Sequence, residues 1–171
     1  MNYFDLFDLP QTFDIDLSLL SHRFQEVQRE THPDRFAHGT EQEKLQAVQV
    51  ATTVNQAYQA LRKPLSRAEY LLSLQGIDIA NEQLTMQDTF FLTQQLELRE
   101  QLEVLEAQRD EGGLQAFMLK LSNIEHELLA QTSATLSASQ WLEAAKAVRK
   151  LRFVSRLQVQ AEQLEETLLD F

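Results

Sequence analysis

Helix-breaking residues are scarce in this chain, with four glycines and three prolines among 171 residues. Each breaker can therefore be considered singly as a boundary between helices. No segment alternates apolar and polar residues as a half-buried strand does, and none is rich in Val, Ile and Thr. The sequence predicts an all-α fold. The predicted boundaries are Pro10, Pro33, Gly39, Pro64, Gly76 and the pair Gly112-Gly113.

A helix, a loop and a second helix are predicted in the first half of the chain. The apolar stripe of the first helix has the three-four spacing of one buried face, at Leu17, Leu20, Phe24 and Val27. Asp16 or Ser18 can cap its start. It must end by Thr31 or His32, because Pro33 disfavours a helical residue before it and has no amide hydrogen.

The second helix of this hairpin is predicted to begin near Thr40, whose hydroxyl can cap it with Glu43 in the capping-box position. It ends at Pro64. Its apolar residues are Leu45, Val48, Val54, Tyr58 and Leu61. A short helix around residues 3 to 9 precedes the hairpin, and another short helix follows it and leads to Gly76.

The polar stretch from Asp78 to Gln83 predicts a linker between two domains. We expect the first domain to span residues 1–75, the linker 76–83 and the second domain 84–171. Domains of this size are at the small end of the usual range.

The second domain contains three segments with helical apolar spacing, which predicts an antiparallel three-helix bundle. These segments run from Phe91 to Leu105, from Leu114 to Leu128 and from Trp141 to Leu168. The predicted breaks between them are Gly112-Gly113 and the Ser/Thr/Ala run from Thr132 to Ser139.

Composition excludes several classes of function. The net charge of -11 disfavours nucleic-acid binding, which draws on Lys and Arg, and the absence of cysteine excludes disulfides and thiolate metal sites. The histidines, at positions 22, 32, 38 and 126, lack ligand spacing such as HExxH, and no glycine-rich phosphate loop occurs. We therefore expect no metal, no cofactor and no catalysis by the chain itself.

We expect no targeting segment at the start of this sequence. The segment from Met1 to Asp5 has no basic residues followed by an apolar run, and no apolar stretch is long enough to span a bilayer. We expect a cytoplasmic protein.

The tripeptide His32-Pro33-Asp34 is the candidate working site of the first domain. Its position in the predicted loop exposes an imidazole, a rigid turn and a carboxylate at the tip of a helical hairpin. Pro33 fixes the backbone, which lowers the entropy cost of docking. Asp34 can accept a bidentate pair of hydrogen bonds from an arginine, and His32 can donate or pack. These properties favour recognition of another protein.

Residues 1 to about 75 resemble a J-domain, the module through which co-chaperones stimulate ATP hydrolysis by DnaK-class chaperones. Four segments carry the resemblance: Tyr3-Phe4-Asp5-Leu6-Phe7, His32-Pro33-Asp34, Asn55-Gln56-Ala57-Tyr58 and Arg67-Ala68-Glu69-Tyr70. The resemblance implies that the tripeptide docks on such a chaperone.

The second helix departs from the general J-domain pattern, which is strongly basic before the signature. Here Gln25, Glu26 and Glu30 interrupt the basic residues, which favours a dedicated chaperone over a promiscuous electrostatic contact. The candidates for the remaining attraction are Arg23, Arg29 and Arg35.

The whole chain is similar to the HscB family, the co-chaperones of iron-sulfur cluster assembly. It has neither the Gly/Phe-rich segment nor the cysteine-rich zinc region of general DnaJ proteins, and an acidic helical half follows instead. That half includes Leu151-Arg152-Phe153 and the Glu-rich segment from Ala161 to Glu166. The resemblance implies two partners, an HscA-like ATPase chaperone for the J-domain and an IscU-like scaffold protein for the bundle.

The candidate scaffold-binding patch lies on the helix that begins near Phe91. Leu92 and Leu96 lie one turn apart and are rotated by about 100° from the stripe through Phe91, so they can face water beside carboxylates. From periodicity alone, burial of both leucines is equally open. The resemblance to HscB implies a patch of Leu92, Leu96, Glu97, Glu100 and Phe153. Thr93 stands where family members can present a larger apolar side chain.

Two other readings remain open. A J-domain co-chaperone could serve a different client, and the Leu/Glu/Gln-rich second half is compatible with a helical scaffold without catalytic function. A scaffold of the coiled-coil type predicts self-association, but sustained heptads are absent, which favours a monomer.

Overall fold

The computed structural model describes residues 1–80 and 88–170, and the chain divides into two compact units, residues 1–74 and 75–171. The described residues form seven α-helices and no strand, so the all-α prediction is confirmed. Residues 81–83 of the expected linker and residues 84–87 of the expected bundle lie outside the described residues.

The first unit contains four helices, of which the third is central. They are α1 (Tyr3–Leu6), α2 (Leu17–Thr31), α3 (Glu41–Arg62) and α4 (Pro64–Ser73). Helix α3 packs against each of the other three. The predicted hairpin is therefore formed by α2 and α3. Helix α1 is shorter than predicted, because the chain turns at Phe7 and then adopts a left-handed conformation at Asp8, with φ of 50°.

The helix ends in this unit follow the capping residues of the sequence. A side-chain oxygen of Asp16 accepts hydrogen bonds from the N–H groups of Ser18 and Leu19 at 3.0 and 3.1 Å. The hydroxyl of Thr40 accepts from the N–H of Glu43 at 3.1 Å. Because these bonds satisfy amides that lack partners within the helix, they fix where α2 and α3 begin. Both predicted starts are confirmed.

Three residues of the predicted stripes are exposed, so this part of the prediction was wrong. Leu17 is the first residue of α2, while Leu45 and Val48 lie on the first half of α3, and their exposed fractions are 49%, 60% and 49%. At about 100° per residue, Leu45 and Val48 are rotated by roughly 130° or more from the α3 face that carries the core. That buried face is formed by Ala47, Val54, Ala57 and Leu61.

The second unit is a three-helix bundle. Its helices are α5 (Thr89–Gln108), α6 (Glu111–Ser137) and α7 (Trp141–Leu169). The two short connections make each helix antiparallel to the next. Helices α6 and α7 pack along their length, and α5 contacts both of them. Among the helices described, none combines the length and apolar character that crossing a lipid bilayer requires.

The breaks between these helices are not where the sequence predicted them. Helix α5 ends at a left-handed Arg109, with φ of 50°, and Asp110 caps α6 by accepting from the N–H of Gly113 at 2.9 Å. The glycine pair thus lies in the first turn of α6. A Cβ on Gly113 would meet the side-chain ends of the capping Asp110 and of Leu105, at 2.5 and 2.6 Å, so a larger residue there would require these side chains to move.

The second break is also displaced. The Ser/Thr/Ala run remains helical to Ser137, and within it the hydroxyl of buried Thr132 donates to the carbonyl oxygen of Leu128 at 2.8 Å. Helix α6 is then terminated by Ser139, which has a φ of 56°.

Candidate functional site

The first candidate site is the tip of the hairpin formed by α2 and α3. His32 follows the last residue of α2, and Pro33 begins a short 3-10 turn that extends to Phe36. The N–H of Arg35 donates to the carbonyl oxygen of His32 at 3.0 Å, and the N–H of Gly39 donates to that of Phe36 at 2.9 Å. The predicted loop is therefore an ordered turn.

The imidazole of His32 has a defined hydrogen-bonding state in this turn. Its Nδ1 accepts from the backbone N–H of Asp34 at 3.1 Å and also lies 3.5 Å from a carboxylate oxygen of Asp34. The shorter contact assigns the proton, because a nitrogen that accepts a hydrogen bond cannot also supply one to the carboxylate. Nε2 then carries the proton and remains free to donate to a partner.

The two side chains of the tip are open to solvent. Those of His32 and Asp34 are 51% and 93% exposed. A hydrogen-bond donor and a carboxylate are thus presented side by side, with the turn between them rigidified by Pro33. This arrangement suits a basic partner surface that also offers an acceptor.

The three candidate arginines have different surroundings. Nη1 of Arg23 donates to the carbonyl oxygens of Phe7 and Asp8 at 3.1 and 3.2 Å and pairs with the Asp8 carboxylate at 3.3 Å. Arg23 therefore holds the connection between α1 and α2. Arg29 and Arg35 are exposed near the tip, Arg29 with only a 3.4 Å contact from Nε to the carbonyl oxygen of Gln25.

The second candidate site lies on the first half of α5. Leu92 and Leu96 are both exposed, by 37% and 58%, so these leucines face water. The side chains of Glu97 and Glu100 are exposed beside them, as is Thr93. The structure thus brings together four of the five predicted scaffold-binding residues as an apolar strip with carboxylates at its border.

Phe153 is placed differently from the other members of the predicted patch. It is buried, and its ring packs edge-on against that of Phe91, with 6.0 Å between the centroids. The guanidinium of Arg99, on α5, covers the Phe153 ring at 5.3 Å. Phe153 therefore supports α5 from beneath and does not present its ring on the surface of the unit.

The sequence reasoning missed several apolar residues near these sites. Phe36, in the tip turn, and Val50, on α3, are partly exposed, and Phe90 at the start of α5 is 76% exposed. Phe36 could have been singled out from the sequence, because it is an aromatic residue within an otherwise polar loop. Periodicity could not identify the others, because it does not show where a neighbouring helix ends.

The described residues contain no group of three or more His, Asp or Glu side chains placed to hold a metal ion. The exposed residues of both candidate sites have side chains suited to contact with another protein.

A family model described as the HSCB C-terminal oligomerisation domain matches residues 87–162. This match lies within the second unit and includes the candidate patch of α5.

Solved structures resemble the whole chain. Chaperone HscB from Vibrio cholerae is 49% identical, with a TM-score of 0.93, over 98% of this chain and 99% of that one. Human co-chaperone protein HscB is 30% identical, with a TM-score of 0.86, over 95% of this chain and 81% of that one. The Jac1 co-chaperone from Saccharomyces cerevisiae, at 22% identity and a TM-score of 0.77 over 94% of each chain, shares the fold. The chain therefore belongs to the HscB family of co-chaperones.

Proposed function

We propose that this protein stimulates ATP hydrolysis by a dedicated DnaK-class chaperone of the HscA type and delivers to it an IscU-like scaffold protein in iron-sulfur cluster assembly. The observation that carries the proposal is the exposed imidazole of His32, whose Nδ1 is engaged within the turn and whose Nε2–H is left for a partner. Membership of the HscB family supports the choice of both partners.

The tip acts on the chaperone through binding alone. Asp34 accepts a pair of hydrogen bonds from a basic group of the chaperone, and His32 donates from Nε2 to an acceptor beside it. Arg29 and Arg35 contribute long-range attraction, while Arg23 positions the helix that carries the tip. If this contact is stronger in the hydrolysis-competent state of the chaperone, docking shifts the chaperone toward that state.

The strip on α5 binds the scaffold. Burial of Leu92 and Leu96 supplies affinity, and Glu97 and Glu100 orient a basic region of the scaffold. Phe153 contributes indirectly, because it holds the helix that presents the leucines. No bond is made or broken by this protein in either interaction.

A steady-state ATPase assay of the chaperone, with and without scaffold, tests both halves of the proposal. His32→Gln is expected to abolish stimulation, whereas His38→Gln, which changes another exposed histidine of the same connection, is expected to retain it. If His32→Gln stimulates as well as the unmodified protein, the tip does not act on the chaperone.

Scaffold capture is tested by direct binding. Leu92→Ala/Leu96→Ala is expected to weaken binding at least ten-fold, while Leu119→Ala/Leu142→Ala, which removes two exposed leucines elsewhere in the second unit, leaves it unchanged. Equal binding by both double variants would remove the α5 patch from the proposal. If the unmodified protein stimulated the chaperone's ATPase but did not bind the scaffold at all, a J-domain co-chaperone that delivers a different client would be favoured.

We also propose that the protein acts in the cytoplasm. We propose that it is a monomer, since the sequence has no sustained heptads of the kind that form coiled coils. The matching family description mentions oligomerisation, so light scattering coupled to size exclusion is the direct test. A mass near 19.8 kDa is expected, and a mass of twice that value would contradict the monomer.

A further inference from the structure

A groove of about 240 Å³ opens beside the tripeptide, between the end of α2, the 3-10 turn and the first half of α3. It is lined by Thr31, Phe36, Glu43, Gln46, Ala47 and Val50. Thr31 directly precedes His32, and Phe36 lies just beyond Asp34 in the same turn. The rim of the groove is therefore continuous with the tip.

The groove arises because α3 extends past the end of α2. Ala47 and Val50 lie within roughly 40° of the α3 face that carries Val54 and Ala57, and the one residue of α2 that lines the groove beside them is its last, Thr31. Phe36 covers this part of α3 only in part, and Ala47 is too small to fill the space. Val50 and Phe36 consequently remain 41% and 38% exposed.

Such a surface suits a protein partner. Apolar side chains that remain open to water around a concave site offer burial on binding, without any need to unfold the chain. The size of the groove suits one large aliphatic or aromatic side chain.

The charges at the rim indicate what accompanies that side chain. Glu43 lines the groove and is exposed, and the carboxylate of Asp34 lies in the adjoining turn. Two carboxylates beside an apolar groove are complementary to a segment that carries an apolar residue next to a basic one.

We propose that this groove is a second contact for the DnaK-class chaperone, and that it receives an apolar side chain from a chaperone segment whose neighbouring basic residue faces Asp34 and Glu43. The inference rests on the proposed function and extends the docking site of the same tip. The tripeptide orients the partner, and the groove adds affinity through burial.

The test measures the chaperone's ATPase rate at increasing concentrations of this protein, using variants that block the groove and matched variants that do not. Val50→Glu places a charge in the groove, and Val48→Glu is its matched control, because both valines lie exposed on α3 but are rotated by about 200° from each other. Val50→Glu is expected to raise the concentration for half-maximal stimulation about ten-fold, and Val48→Glu to change it less than two-fold.

A second pair covers the case in which Val50→Glu disturbs the fold, as judged by its thermal unfolding. Gln46→Trp obstructs the groove from an exposed lining position, and Gln49→Trp adds the same bulk at an exposed position outside the lining. Gln46→Trp is expected to behave as Val50→Glu does. If each folded groove variant changes the concentration for half-maximal stimulation no more than its control does, the groove is not a contact for the chaperone.

His32→Gln, measured in parallel, separates the two proposals. If His32→Gln is inactive while the groove variants equal their controls, the groove is rejected and the tip remains. If His32→Gln stimulates normally, both the proposed function and the groove are rejected.

Discussion

Nδ1 of His32 accepts a hydrogen bond from the backbone N–H of Asp34 at 3.1 Å, so one side of the imidazole is used within the tripeptide itself. His32→Asn separates this turn-forming bond from recognition, because the asparagine side-chain oxygen can accept the same N–H but offers no donor at the position of Nε2. We expect a loss of chaperone stimulation of at least ten-fold, since one hydrogen bond of roughly 1.4 kcal/mol corresponds to a factor of ten, with unchanged amide exchange in the tip. Unchanged stimulation by His32→Asn would assign the imidazole to the turn alone.

Arg67 joins α4 to two other parts of the first unit. Nε donates to the carbonyl oxygen of Phe13 at 2.6 Å and Nη1 to that of Leu61 at 2.8 Å, near the end of α3. Burial lowers the pKa of Arg67 from its ordinary value, and the charge of Asp14 opposes that shift. Arg67→Met should reduce the free energy of unfolding by about 2 to 4 kcal/mol, because two buried acceptors lose their donors.

Urea unfolding of Arg67→Met measures this loss, with Arg67→Lys as the intermediate case, since a lysine can reach one acceptor but cannot match the guanidinium fork. A loss below about 0.5 kcal/mol for Arg67→Met would show that the two bonds contribute no net stability.

Tyr70 anchors the start of α1. Its phenolic oxygen accepts from the N–H of Tyr3 at 2.9 Å, and the two rings stack with centroids 4.4 Å apart. At about pH 7, Tyr70→Phe should cost roughly 1 kcal/mol of unfolding free energy, because the Tyr3 amide loses its acceptor.

The pH dependence of Tyr70 provides a second measurement. Burial raises the pKa of Tyr70 above its ordinary value of 10.0, and the hydrogen bond from Tyr3 opposes the shift. The neutral phenol is therefore favoured in the folded state, so its contribution is complete below about pH 10 and is lost as the pH rises through the folded pKa. The stability difference between the unmodified protein and Tyr70→Phe should narrow above pH 10, and a widening difference would contradict this sign.

Truncation of Phe153 should mainly lower the free energy of unfolding, whereas truncation of the exposed leucines of α5 should mainly weaken scaffold binding. Phe153→Ala removes a buried ring that packs on Phe91, and is expected to cost about 3 to 5 kcal/mol of unfolding free energy. Leu96→Ala, at a position that is 58% exposed, should cost less than about 1 kcal/mol yet weaken scaffold binding. Urea unfolding and direct binding of the same samples measure both quantities. A stable Phe153→Ala variant with impaired binding would instead make Phe153 a direct contact.

The sequence predicted the features that depend on local chemistry. Thr40, and Asp16 with Ser18 as its alternative, were predicted as caps because a side-chain oxygen at a helix start acts on amides within the next turn. Exposure of Val50 was missed, since it depends on where α2 ends relative to α3, whereas Leu45 is exposed because it lies on the side of α3 away from the buried face. The burial of Phe153 likewise reflects the neighbouring helix, which supplies Phe91 and Arg99 around its ring.

The break between α6 and α7 was misplaced for a further reason, which leads to a prediction. Glycine is the usual residue at a left-handed helix end, but Ser139 has a φ of 56° there. The N–H groups of Ser139 and Gln140 donate to the carbonyl oxygens of Leu136 and Thr135 at 3.1 and 2.9 Å, which closes the helix end. A β-carbon in this conformation costs about 1 kcal/mol relative to glycine.

Ser139→Gly should therefore stabilise the second unit by about 0.5 to 1 kcal/mol, because it relieves this strain and keeps both backbone bonds. Ser137→Gly, two residues earlier at the last residue of α6, is the matched control and should destabilise by up to about 1 kcal/mol, as glycine does within a helix. If Ser139 terminates α6 in the left-handed conformation, urea unfolding should show a higher free energy of unfolding for Ser139→Gly and a lower one for Ser137→Gly. Destabilisation by both would mean that the serine side chain, and not its backbone angle, holds this connection.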